Sequence, residues 1–370
     1  MDVHWLYCVL VFHKLVSVCS SEILLYSLND GNKIPAVALG TSLGHLADGT
    51  RVLPVNHSLA QAVQWALEDG YRHIDTASLY KVEDEVGLGI RNYVRDSRVD
   101  RRDIYVTTKL WNDAHERNEV RPALRKSLEE LGLEYVDLYL MHYPMAYKKD
   151  GNISRTDYVE TWKGLENVKE ANLTKSIGVS NFNLSQMQRL WERSRIKPAV
   201  LQIEEVKVSS LEGLLIDFNK EIGKPYNTTI TQNELVNWCN DHGVVVMAYS
   251  PFGAILGRKK DAPPPRADDP ILMKVAEKYN KTVPQVLLRY LLDRKLVAIP
   301  RSMNKDRIKQ NIDLMDFSLT SEEVEELSSF NSNYRLRTPA KWYPHPHFPF
   351  EKKNLTEIEI KHIIANSKDD

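Results

Sequence analysis

Four polar side chains stand where apolar segments end: Asp75 and Tyr80 in GYRHIDTASLY (70–80), Lys109 in VTTKLW (106–111) and His142 in LYLMHYP (138–144). A carboxylate in such a setting must be paired, because burying it alone is very costly. Lys109 is the partner expected for Asp75. A phenol, with a pKa near 10, is a poor proton donor at neutral pH unless its anion is stabilised. An ammonium beside it, itself held by Asp75, would supply that stabilisation and make Tyr80 a general acid. His142 would hydrogen-bond the same substrate oxygen. A carbonyl gaining negative charge as it receives hydride fits these groups, and the hydride must come from a cofactor. Any one of these residues alone would read as part of a satisfied polar cluster; four on successive strand ends read as a site. His73 reads as strand packing.

A repeating pattern positions them. Apolar runs at 36–41, 73–77, 104–110, 136–142, 176–181, 199–204, 244–250 and 296–300 alternate with helical patterns at 58–69, 83–95, 119–131, 157–171, 184–194, 231–241 and 283–294. Such alternation indicates parallel strands with crossover helices. Eight strands close a (β/α)8 barrel of the α/β class, in which polar residues at the strand C-termini converge on one face. An open doubly wound sheet is the alternative, but no G-x-G-x-x-G follows the first strand. Residues 24–35 read as a hairpin turning at Asn29, Asp30 and Gly31 and capping one barrel end. Two segments break the rhythm: the proline- and charge-rich loop 257–270, placed to fold over a ligand, and the long connection 205–230.

The 370 residues suit one large barrel or two average domains. A net charge of −1 gives no sign of a nucleic-acid or membrane surface, and no apolar run is long enough to cross a bilayer. Cys8, Cys19 and Cys239 have no metal-site spacing, and Cys239 reads as a core helix cysteine. The apolar stretch 5–12, followed by VCS (18–20), makes residues 1–20 a signal peptide or, since no Lys or Arg precedes it, an amphipathic extension or wrong start. Sequons at Asn56, Asn152, Asn172, Asn183, Asn227, Asn280 and Asn354 favour a secreted glycoprotein. The expected layout is a signal at 1–20, a barrel at 21–350 with an atypical insertion at 205–230, and a polar C-terminal tail at 351–370.

At these residues the sequence resembles the aldo-keto reductase family, from about residue 26 to 350. GYRHIDTA with Tyr80, TTKLW, MHYP, GVSNF, LQIE, AYSP and IPRSMNKDRIKQN match its motifs in order. The resemblance implies a (β/α)8 barrel, a tetrad falling on Asp75, Tyr80, Lys109 and His142, and NADPH-dependent carbonyl reduction. It places Ser180, Asn181 and Gln202 on the nicotinamide carboxamide, and Tyr249 under the nicotinamide ring with Ser250 beside it. Arg301, Ser302 and Arg307 fall on the adenosine 2′-phosphate, and Asn311 on the adenine. Two guanidiniums beside a hydroxyl suit a phosphomonoester, which favours NADP over NAD. The partners implied are a small carbonyl compound and no other chain, hence a monomer. The likeness is nearest to insect members, including secreted 3-dehydroecdysone 3β-reductases, and so implies a 3-ketosteroid as one expected substrate.

The departures bear on specificity. Ser42 and Tyr143 stand where the family often has tryptophan, and both line the substrate pocket in relatives, which predicts a wider or more polar pocket. Tyr343, His345, His347 and Phe348 fall in the tail that covers the pocket in the family; they shape specificity or form a plain surface tail. The segment 205–230 replaces a short loop beside Gln202, either as a lid or through a misplaced exon boundary. In the first case it would narrow the pocket or block the cofactor, leaving a nucleotide- or partner-binding barrel with little turnover. NADPH is scarce outside cells, so a cytoplasmic location is the alternative to secretion.

Overall fold

The computed structural model describes residues 23–46, 50–97, 99–204, 232–253, 255–256, 266–329 and 342–350. The expected signal at 1–20, the segment 205–230, most of the loop 257–270 and the tail 351–370 lie outside the described residues.

A hairpin, β1 (Leu25–Ser27) and β2 (Lys33–Pro35), precedes the main sheet. Eight parallel strands follow: β3 (Leu39–Gly40), β4 (His73–Asp75), β5 (Tyr105–Leu110), β6 (Val136–Met141), β7 (Thr174–Ser180), β8 (Val200–Glu204), β9 (Val245–Tyr249) and β10 (Val297–Ile299), each beside the next in chain order. Ala38 N–H to Ala298 O and Ala298 N–H to Ala36 O, both 2.9 Å, join the two ends of the sheet, and Gly40 N–H reaches Pro300 O. The barrel is closed, and the open-sheet alternative is excluded. The helices are α1 (Ser58–Glu68), α2 (Glu83–Asp96), α3 (Val120–Leu131), α4 (Tyr158–Glu170), α5 (Leu184–Arg193), α6 (Gln232–Asp241), α7 (Pro270–Lys278), α8 (Val283–Asp293), α9 (Lys305–Ile312) and α10 (Ser321–Ser329).

Strand alternation sorts the side chains into two layers. Outward residues such as Ile74, Val106, Tyr139, Val179, Leu201 and Val246 join the helices in the larger core. Inward residues Tyr105, Leu138, Leu140, Val200, Met247 and Val297 fill the barrel, and Leu28 and Ile34 of the hairpin close its floor. Gly178 falls on this inward face, and a Cβ there would lie 2.4 Å from Val200 O, so only glycine fits at that position. The same period of two turns Asp75, Lys109, Ser180, Gln202 and Tyr249 inward at the C-terminal ends.

His73 takes the packing role expected of it. Its ring nitrogens lie 2.8 Å from Thr107 Oγ1 and 3.2 Å from Pro35 O, inside the barrel below Asp75. Burial holds its pKa down to about 4. Cys239 is buried in α6, which raises its thiol to about 12 and leaves it unreactive. Among the described residues no helix is long and apolar enough to cross a membrane, and no cluster of His, Cys, Asp or Glu could hold a metal.

Candidate active site

Lys109 is fully buried, and its three ammonium donors have three acceptors. Asp75 Oδ1 and Thr76 O each lie 2.7 Å from Nζ, and the Tyr80 hydroxyl lies at 3.4 Å. Burial works to lower the pKa of this ammonium. Asp75 and Tyr80 outweigh it, so the group is held above its ordinary value and stays charged. The second Asp75 oxygen accepts from Gln202 Nε2 at 2.7 Å. The carboxylate therefore has a donor on each oxygen, as a buried charge requires.

Local structure brings Tyr80 back to β5. After β4 the chain makes a 3₁₀ turn at Ser78–Tyr80, and Ser78 Oγ donates to Lys109 O at 3.0 Å, tying the turn to that strand. Lys109 Nζ also lies 5.0 Å from the centre of the Tyr80 ring. Because the Tyr80 oxygen accepts from the ammonium, its own proton is left for another acceptor. His142 follows β6, and its ring stands edge-on to Tyr80 with centroids 5.7 Å apart. The four residues singled out from sequence are thus brought together.

The groups expected to hold a cofactor fall on neighbouring strands. Ser180 and Gln202 are register partners on β7 and β8. Asn181, at φ 60°, donates to His142 O and Ser180 Oγ at 3.0 and 3.1 Å, while its Oδ1 accepts from the Tyr249 hydroxyl at 2.8 Å. Tyr249 is thereby fixed at the barrel mouth as a half-buried ring, and Ser250 follows at φ 52°. Arg301 leaves β10 and donates to Leu43 O at 3.4 Å. Asn304 caps α9 by accepting from Arg307 N–H, so Ser302 and Arg307 flank that helix N-terminus, with Asn311 buried one turn further on. Two guanidiniums and a hydroxyl around a helix N-terminus suit a phosphate.

Ser42 sits past the end of β3, next to Thr41, whose N–H and hydroxyl both donate to Asp75 O. Tyr143 stacks on His142 at 5.3 Å and 16°. Residues 342–350 do lie over this face: Trp342 meets Tyr143 at 4.9 Å and Phe350 meets it at 6.4 Å. Tyr343 and Phe348 are buried against each other, and His345 and His347 are held within the same segment. The plain surface tail is excluded for these residues.

Sequence reasoning passed over several neighbours. Trp111 lies 5.3 Å from His142 and 6.1 Å from Trp342, and its place one residue after the apolar end of β5 was the available signal. Arg51 reaches 5.8 Å from the centre of the Tyr80 ring, from a small hairpin paired at His45 and Arg51 that no local motif announces. The Asn183 sequon has a structural use: its amide donates to Pro349 O and its oxygen caps α5.

Over residues 38–332 the chain matches the family described as the aldo/keto reductase family. It is 48% identical over 323 residues to aldo-keto reductase AKR2E4 of Bombyx mori, covering 87% of this chain and 97% of that protein. It is 38% identical over 347 residues to aldo-keto reductase family 1 member A1 of Gallus gallus, covering 88% and 96%. The crystal structure of AKR2E4 in complex with NADP is similar with a TM-score of 0.79 at 46% identity, over 89% of this chain and 99% of that one. That of silkworm AKR2E5 complexed with NADPH gives 0.81 at 37% identity, over 94% and 99%.

Proposed function

The chain belongs to the aldo/keto reductase family, and from that premise we propose that it reduces aldehydes and ketones to alcohols with NADPH, using Tyr80 as the proton donor. The observation that carries this reading is the set of three acceptors around Lys109. Bound NADPH supplies hydride to the carbonyl carbon. The residues of this chain do the rest. Tyr80 donates its hydroxyl proton to the carbonyl oxygen, and the Lys109 ammonium stabilises the phenolate left behind. Asp75 keeps Lys109 charged and in place. His142 orients the oxygen as a second hydrogen-bond partner. Ser180, Asn181 and Gln202 would hold the carboxamide edge of the nicotinamide and Tyr249 would stack on its ring, while Arg301, Ser302, Arg307 and Asn311 would hold the adenosine phosphate end.

Within that chemistry the proposed substrate is a flat, ring-bearing ketone such as a 3-ketosteroid, 3-dehydroecdysone among them. The aromatic wall of Trp111, Tyr143, Trp342 and Phe350 supports it, as does Ser42 in place of a larger side chain. The test is the kcat/KM of the purified full chain for NADPH oxidation with simple aldehydes and with a 3-ketosteroid. A higher value for the steroid sustains the finer reading. Turnover of aldehydes alone leaves carbonyl reduction standing and removes the steroid.

A further inference from the structure

The segment 342–350 packs on Trp111 and Tyr143 beside His142, and what holds it there is specific. Hydrogen bonds join it to the barrel, among them His345 Nε2 with Ala146 O at 3.0 Å, Gln186 Nε2 to His347 O at 3.0 Å, and Asn183 Nδ2 to Pro349 O at 3.1 Å. Asn183 and Gln186 are also the two members of the α5 capping box, so their positions are set by the helix. His345 belongs to the tail itself. It is fully buried, and its Nδ1 accepts the His347 backbone N–H at 3.0 Å. That bond leaves the ring proton on Nε2, where it donates to Ala146 O; the ring is neutral and in one tautomer. Ala146 lies three residues after Tyr143, in the loop that carries His142, and the Tyr147 ring lies 5.3 Å from His345. One imidazole thus both folds the tail turn and fastens it to the loop bearing the site.

We propose that His345 is a positioning residue for substrate selection: by clamping the tail to Ala146 it keeps Trp342 and Phe350 against Tyr143, forming the wall that ring-bearing carbonyl compounds contact. The inference rests on the carbonyl-reductase reading and deepens it. Tyr80 and Lys109 make no contact with the clamp, so their proton transfer is independent of it. A small aldehyde has no need of the wall, whereas a two-ring aldehyde does.

The experiment compares full-length wild type, His345→Ala, His345→Gln and Trp342→Ala with propanal and 2-naphthaldehyde, alongside NADPH affinity from protein fluorescence. The expected result for His345→Ala is a rise in KM for 2-naphthaldehyde of tenfold or more, with kcat and KM for propanal and the NADPH Kd within twofold. Trp342→Ala should reproduce that pattern, because it removes the wall without touching the clamp. His345→Gln, which keeps an N–H for Ala146 O, should recover most of the lost affinity. Equal losses on both aldehydes, or no loss on either, would overturn the proposal. If wild type binds NADPH but oxidises it with neither aldehyde, the parent reading falls and the clamp's role falls with it.

Discussion

Gln202 donates to Asp75 across the full width of the barrel, Nε2 to Oδ2 at 2.7 Å, although the residues are 127 positions apart and their strands stand four places apart in the eight-strand order. The bond joins a residue assigned to the nicotinamide carboxamide to the carboxylate that holds Lys109. On the function proposed above, cofactor binding and proton donation would share this network through Gln202.

That link gives the first prediction. Gln202→Leu should weaken NADPH binding and also lower kcat by about tenfold or more, because it strips a donor from a buried carboxylate. Stopped-flow binding and steady-state turnover measured on one preparation check it. A change in NADPH affinity with kcat intact would place Gln202 outside the network.

The Asp75–Lys109 pair is fully enclosed, so removing one partner leaves an uncompensated charge. Lys109→Met should lower unfolding stability by about 3–5 kcal/mol. Asp75→Asn combined with Lys109→Met should regain part of that loss while remaining inactive. Urea denaturation of both variants measures it.

Arg307 is exposed at the N-terminus of α9 and has no packing duty. Arg307→Ala should raise KM for NADPH by about ten- to a hundredfold, the worth of a charge-assisted phosphate contact. The KM for NADH should stay within twofold. Initial rates with the two cofactors test this, and equal effects on both would remove the phosphate assignment.

Glu83 is buried at the start of α2, accepting from Thr108 Oγ1 at 2.5 Å and Ser127 Oγ at 3.0 Å. Burial pushes its carboxyl up from 4.5 to about 7, with the two hydroxyls acting the other way. Its folded-state pKa is raised, so its contribution to stability is complete below about pH 4.5 and is lost as pH rises through 7. The loss is on the order of 3 kcal/mol across that window. His73 has the opposite sign: its pKa is depressed to about 4, so its contribution is present above 6.5 and is lost on acidification. Glu83→Gln should remove the decline between pH 4.5 and 7 and keep the acid loss. Denaturation midpoints across that range decide it.

How much could be read in the sequence follows from where the signal resides. Asp75, Lys109 and His142 were legible because each is a polar residue at or just past the end of a largely apolar run. The pairing of Asp75 with Lys109 then followed from the need to compensate a buried charge. The hairpin 24–35 was legible from its turn residues, and Leu28 and Ile34 do close the barrel floor. The tail's fastening was not legible. It depends on contacts between residues more than 150 positions apart, such as Asn183 with Pro349 and Gln186 with His347, and nothing in either local stretch encodes the other. Asn183 shows the same limit: the three-residue sequon it heads is also a helix cap, and only the fold shows which use is made of it. Arg51 beside Tyr80 belongs with these, since the two are 29 positions apart and no local motif links them.

The central claim is that Tyr80 delivers the proton while Lys109 stabilises the phenolate left behind. The most direct test is Tyr80→Phe in the full chain, with NADPH binding measured by fluorescence and aldehyde-dependent NADPH oxidation measured on the same sample. NADPH affinity should stay within twofold of wild type while turnover falls by about a hundredfold or more, the usual worth of a general acid. Turnover that survives the loss of the hydroxyl, with binding unchanged, would contradict it.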